Sequence, residues 1–142
     1  MYEKEPAKSY RYNDPQDADL GKILDPRHTA LLMIDMQNDF CDKEGKFAQA
    51  GRDASDVIRI VPRCKELLES ARSANVMVVH IQQSTLPGQQ SDNGGWLAFK
   101  TRDGKAPTYA TVNTWGWEHI DALKPHNDGE DGRYFEPVVL KF

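Results

Sequence analysis

Cysteine is scarce in this chain: two residues, Cys41 and Cys64, lie far apart and match no zinc-binding spacing. A reduced, cytoplasmic setting is the expectation that follows. Long hydrophobic runs are missing too. No apolar stretch approaches the roughly 20 residues a membrane helix needs. The opening residues, Met1-Tyr2-Glu3-Lys4-Glu5-Pro6, lack the basic and then apolar profile of a secretory signal. Charge of one sign is nowhere concentrated. The net charge is −4 with Lys and Arg scattered, which argues against a nucleic acid or an anionic membrane as partner. Internal repeats and low-complexity segments are absent. So is a glycine-rich phosphate loop, because Gly45 and Gly51 stand too far from the first apolar run and are too sparse. That disfavours a flavodoxin-like nucleotide binder.

What is present suits one soluble globular domain. Hydrophobic residues make up 39% and charged residues 28% of the 142 positions. A chain of that length buries roughly two-thirds of its unfolded surface. Residues 1–28 are polar, carry Pro6, Pro15 and Pro26, and show no period. They read as an N-terminal arm laid over the surface or over a neighbouring subunit. The ordered domain is expected over 29–142.

Ala30-Leu31-Leu32-Met33-Ile34 is a continuous apolar run of strand length, the pattern of a strand covered on both faces. The stretch after it, through Gly45 to Gly51, reads as loop. Val57, Ile60, Val61, Cys64, Leu67, Leu68 and Ala71 then fall at helical spacing, with Ser55 or Asp56 as a cap. Pro62 requires that this helix either start near it or bend there. Ser73-Ala74-Asn75 ends the helix, and Val76 to Ile81 reads as a second buried strand. Strand, helix and strand with short joints predict a βαβ unit with parallel strands and a right-handed crossover. Residues 82–111 look irregular, a length that is usually functional or poorly ordered. A short helix is expected over 114–123, burying Trp117, Ile120 and Leu123. Pro137 to Lys141 reads as a third strand. The predicted class is α/β, a three-layer Rossmann-like parallel sheet.

Ligands of such sheets sit beyond the carboxyl ends of the strands. Asp35 stands at one such end and Lys141 at another. A carboxylate and an ammonium about 4 Å apart attract by roughly 4 kcal/mol at an effective dielectric of 20, which would keep both charged.

Four segments, in order, resemble the isochorismatase-like cysteine hydrolases. They are Leu31-Leu32-Met33-Ile34-Asp35-Met36-Gln37-Asn38-Asp39-Phe40; Leu67-Leu68-Glu69-Ser70-Ala71-Arg72; Thr114-Trp115-Gly116-Trp117-Glu118-His119-Ile120 with Leu123-Lys124-Pro125; and Pro137-Val138-Val139-Leu140-Lys141-Phe142. The resemblance implies a hydrolase of C–N amide bonds acting through an Asp-Lys-Cys triad on a small amide, carbamoyl or ureide substrate, without a cofactor. Asp35 would be the general base, and Lys141 would lower the thiol pKa and orient the acid. Phe40 and Trp96 are candidate substrate-binding walls. Gln37 and Asp39 are expected to fix the loop after the first strand.

The family's nucleophile follows its lysine, and here the sequence departs from the pattern. Cys41 and Cys64 read as packing cysteines rather than as that nucleophile. His80 reads as a strand-end histidine with an ordinary hydrogen bond, so no metal is expected. His28, His119 and His126 read as solvent-facing. In the family's 3-2-1-4-5-6 strand order the present strands are 1, 2 and 3, which leaves the first at an open edge. A complementing C-terminal half or a homo-oligomer is the expected partner. The alternative is a catalytically inactive, truncated remnant that serves as a binding or interaction module.

Overall fold

A computed structural model describes residues 20–102, 104, 108–127 and 135–142. Most of the expected N-terminal arm, residues 1–19, lies outside the described residues. The described part begins with a single helical turn, α1 (Leu20–Ile23), whose last carbonyl accepts the Thr29 hydroxyl at 3.1 Å.

Three parallel strands follow in the order β1 (Ala30–Ile34), β2 (Met77–Gln83) and β3 (Val138–Lys141). Ala30 pairs with Met77 and Ile34 with Ile81; His80 pairs with Val138 and Gln83 with Lys141. The carboxyl ends of all three strands therefore lie on one side of the sheet, as the βαβ reading requires. Among the described residues β1 has one strand neighbour, so its outer edge is open.

Between β1 and β2 run three helices: α2 (Asn38–Cys41), α3 (Lys46–Gln49) and α4 (Ser55–Ser73). The first two correct the expectation of a plain loop. The helix α4 starts at Ser55 rather than at Pro62, which stays inside it on the solvent side. There water can satisfy the carbonyl that loses its donor. Neither Ser55 nor Asp56 caps it. Instead the Asp53 carboxylate accepts the Ser55 N–H at 2.9 Å.

Leu68 and Ala71 of α4 pack on Met33 and Val78 of the sheet, with Met36, Cys41 and Leu123 completing the core. Val57, Val61 and Cys64 line its border. The opposite sheet face is bare among the described residues: Leu32 and Ile34 are each 51% exposed, Met77 62% and Val139 49%. The composition of β1 is that of a strand buried on both sides, yet only one side is covered here. Large aliphatic groups left in water forgo about 1.5–3 kcal/mol each relative to full burial.

Two further expectations are corrected. Residues 114–123 form two 3₁₀ turns, Trp115–Trp117 and Asp121–Leu123, rather than one helix. Their backbone is used elsewhere. Asn38 N–H donates to the Glu118 carbonyl at 3.0 Å and Ile120 N–H to the Met36 carbonyl at 3.1 Å, forming an antiparallel bridge of Gln37 with His119. Within 82–111 lies a helix, α5 (Gly94–Lys100), capped by the Asn93 side chain accepting from Trp96 N–H at 2.9 Å. Glycines 94 and 95 at its start hide it from a reading by propensity.

Candidate active site

Asp35 is the residue at which β1 stops. Its backbone has φ 56°, the left-handed region that few residues other than glycine adopt, and its N–H still reaches the Ile81 carbonyl of β2 at 2.9 Å. Held this way at one edge of β2, Asp35 meets Lys141 from the other edge. The Lys141 Nζ donates to Asp35 Oδ2 at 2.7 Å. Two inter-strand spacings of about 4.8 Å separate the flanking strands. A lysine has the reach to cross them; a shorter cation does not. The pair is partly exposed, at 43% for Lys141 and 32% for Asp35. Its net contribution to stability is therefore small, about 0–1 kcal/mol, and its interest is chemical. The other carboxylate oxygen, Oδ1, is buried and has no hydrogen-bond partner. One oxygen is fixed by the ammonium and the second is a buried acceptor without a partner.

A cavity of about 520 Å³ opens beside this pair. Phe40 of α2 and Trp96 of α5, both expected as walls, line it together with Asp35, Tyr109 and Phe142. Phe40 leans on Tyr109 with ring centroids 5.9 Å apart, and Trp96 stacks on Phe99 at 5.5 Å. Phe99, next to Trp96 in the variable stretch, lines the cavity as well. Tyr109 and Phe142 were not legible as wall residues: Tyr109 sits in the irregular stretch, and only the position of Phe142 next to Lys141 could have signalled it.

The platform beneath Asp35 is built from buried polar side chains. Gln37 donates to the carbonyls of Gln83 and Trp117 at 2.9 and 2.7 Å and accepts from Gln83 N–H at 2.9 Å. Asp39 accepts the N–H of Lys46 at 3.1 Å and that of Ala110 at 2.7 Å. Both are essentially inaccessible to solvent. They tie the segment after β1 to β2, to the Trp115–Trp117 turn and to α3, so they do not point into the cavity. Glycine is required at position 116, where a Cβ would lie 2.2 Å from Asp39 Oδ1.

Neither cysteine competes for the site. Cys41 is buried in the core, and its Sγ lies 3.9 Å from the Asp35 backbone carbonyl rather than from the carboxylate. Burial pushes its thiol up to about 11 despite a hydrogen bond from the Gln37 segment, so almost none is thiolate at neutral pH. Cys64 is half-buried against the core.

The histidines form a separate cluster. His80 is fully buried and its Nε2 lies 2.9 Å from Glu136 Oε2. Burial lowers its pKa against the pull of that carboxylate. His119, expected in solvent, is instead 7% exposed and meets His80 edge-on at 5.2 Å. The antiparallel bridge to Gln37 draws it inward. Burial first, and the charges of His80 and Lys124 second, hold its pKa down at about 4. Among the described residues no group of three or more His, Cys, Asp or Glu side chains is arranged to hold a metal. No described helix is long and apolar enough to cross a membrane.

Comparison with known proteins assigns the family and the α/β fold of this parallel sheet. The family profile for the isochorismatase domain matches residues 29–131. The chain belongs to that family. It is 32% identical over 112 residues to the ureidoacrylate amidohydrolase RutB of Caulobacter segnis, covering 72% of this chain and 47% of that protein. With the RutB of Agrobacterium fabrum the identity is 36%, over 72% of this chain and 49% of the relative. A crystal structure of a cysteine hydrolase from Pseudomonas syringae pv. phaseolicola superimposes with a TM-score of 0.60 at 25% identity, over 82% of this chain and 47% of that one. The chain thus spans about half the length of the relatives it matches.

Proposed function

We propose that this chain supplies the acid–base half of a cysteine-dependent hydrolase that cleaves the C–N bond of a small amide, carbamoyl or ureido compound. The observation that carries the reading is the Lys141–Asp35 contact of 2.7 Å at the rim of a cavity that Asp35 lines. The names of the relatives make ureido compounds the first substrates to assay.

In this mechanism the Asp35 carboxylate takes the proton of a thiol placed beside it, and Lys141 stabilises the resulting thiolate by charge. The sulfur attacks the amide carbonyl carbon. Backbone N–H groups at the start of the helix bearing that cysteine hold the oxyanion. The C–N bond then breaks, and ammonia or an amine departs with the proton that Asp35 had taken. Water, deprotonated by the same carboxylate, cleaves the thioester and restores the thiol. Phe40 and Trp96 serve as substrate walls.

The thiol comes from a complementing C-terminal half, whether continuous with this chain or on another polypeptide. Support for this lies in the open edge of β1, the bare face carrying Leu32, Ile34 and Val139, and the half-length match to relatives. An exposed apolar edge strand is a template for pairing. A homo-oligomer that covers the same face is the other partner the reading allows.

The test is ammonia release from ureido and carbamoyl compounds by this chain joined to its complementing half. Asp35→Asn and Lys141→Met should each lower kcat by at least about 10²-fold with the fold retained. Turnover unchanged by both substitutions would overturn the proposal. A folded, fully complemented protein without amidase activity would favour a binding module instead.

A further inference from the structure

Strand β2 outruns β1. The last register pair of the two is Ile34 with Ile81, and at Asp35 the chain turns away through its left-handed backbone. On its other edge β2 runs on, with Gln83 in register with Lys141 and the Ser84 N–H donating to the Lys141 carbonyl at 2.8 Å. Gln83 therefore stands level with Lys141, beyond the last residue of β1. The Gln37 side chain takes the place of the missing strand. Its Oε1 accepts the Gln83 N–H and its Nε2 donates to the Gln83 carbonyl, both at 2.9 Å. One side-chain amide thus satisfies both backbone groups of one residue, with the donor and acceptor a neighbouring strand would offer. A further bond of 2.7 Å from Nε2 to the Trp117 carbonyl fixes the amide's orientation. Gln37 has no solvent exposure, so water does not take over these bonds when the amide is lost.

We infer that Gln37 is a positioning residue of the proposed hydrolysis: it acts through Gln83 to hold the end of β2 between Asp35 and Lys141, and so keeps the two within hydrogen-bond reach from opposite edges. It touches no substrate. The inference rests on the proposed role of the Asp35–Lys141 pair and adds the element that sets their separation. Methionine has the length of glutamine without its amide. Placed at 37, it leaves the N–H and carbonyl of Gln83 without their partner, and the tip of β2 that carries the Ser84–Lys141 bond loosens. A displacement of about 1 Å between reacting groups costs about 10²-fold in rate.

The test is Gln37→Met in the complemented enzyme, alone and combined with Lys141→Met, with ammonia release and amide hydrogen exchange as readouts. Alone, Gln37→Met should lower kcat by about 10²-fold and change KM by less than about threefold. The Ser84 amide should exchange at least about tenfold faster, while that of Val79 in mid-strand keeps its protection. In the Lys141→Met background, adding Gln37→Met should cost less than about threefold further, because the lysine it aligns is gone. Should Gln37→Met fail to fold, Gln37→Asn, one methylene too short to reach Gln83 in the same way, is read by the same measures. A kcat within about threefold of wild type, or a loss as large without Lys141 as with it, would overturn the inference and leave the Asp35–Lys141 reading standing. Turnover indifferent to Asp35→Asn and Lys141→Met would instead remove that reading.

Discussion

Arg72 on α4 and Glu136, two residues before β3, meet through two hydrogen bonds, 2.7 Å from Nε and 2.9 Å from Nη2. Glu136 is 1% exposed and also accepts from the His126 N–H at 2.9 Å, while its Oε2 touches His80. This clamp fixes the point at which β3 enters the sheet, and Lys141 lies five positions further along. Glu136→Ala should destabilise the fold by about 3 kcal/mol, because it removes a buried carboxylate that accepts from Arg72 and from the His126 N–H, leaving Arg72 only Glu69 and the Lys124 carbonyl. Chemical denaturation measures the loss, and a change below about 1 kcal/mol would refute the clamp. Glu136→Gln keeps the shape with weaker bonds and should cost less.

The same cluster sets how stability responds to acid. His119 has a folded pKa near 4 against an ordinary 6.5, with His80 displaced in the same direction. Between pH 6.5 and 4 the unfolded chain therefore binds protons that the folded chain refuses, so stability falls as pH falls. For Glu136, burial alone would raise the carboxyl, but hydrogen bonds from Arg72, His126 and His80 hold it down at about 2, against 4.5. Its contribution is complete above pH 4.5 and is lost as pH drops from there towards 2. Each displacement of this size corresponds to roughly 3 kcal/mol. Denaturation midpoints taken at pH 7, 5.5 and 4 should decline steadily, and His119→Gln should flatten the upper part of the slope. A profile level from pH 7 to 4 would contradict this assignment.

Much of the framework could be read from residue order. The apolar run of β1, the stripe of α4 and the second run of β2 carried the parallel sheet, because period and length alone distinguish those elements. Asp35 and Lys141 could be named because each stands at the carboxyl end of an apolar run. Long-range pairing was not legible. The 3₁₀ turns at 115–117 and 121–123 form because residues 36–38 claim the backbone of Glu118 and Ile120. His119 is buried for the same reason. Glu136 sits in a polar stretch that offers no period, and its partner Arg72 shows only as a helix-end cation. Ile60 and Leu67 fit the α4 stripe yet remain 46% and 55% exposed, since nothing among the described residues covers that flank.

Gly116 offers a local check on the platform. Asp39 holds two N–H groups from α3 and Ala110, and a methyl group at 116 would overlap its carboxylate at 2.2–2.5 Å. Gly116→Ala should thus destabilise by about 2 kcal/mol or more and loosen the segment between β1 and α2. Thermal denaturation would record it. An unchanged midpoint would show that Asp39 is free to move aside.

In the proposed mechanism the Asp35–Lys141 pair activates a sulfur that is neither Cys41 nor Cys64. The most direct measurement is iodoacetamide inactivation of the complemented enzyme bearing Cys41→Ala and Cys64→Ala, with the modified peptide identified by mass spectrometry. Inactivation should persist in that variant, map to a third cysteine, and slow by at least tenfold when Asp35→Asn is added. Amidase activity that survives alkylation, or inactivation that disappears with the loss of Cys41 or Cys64, would contradict it.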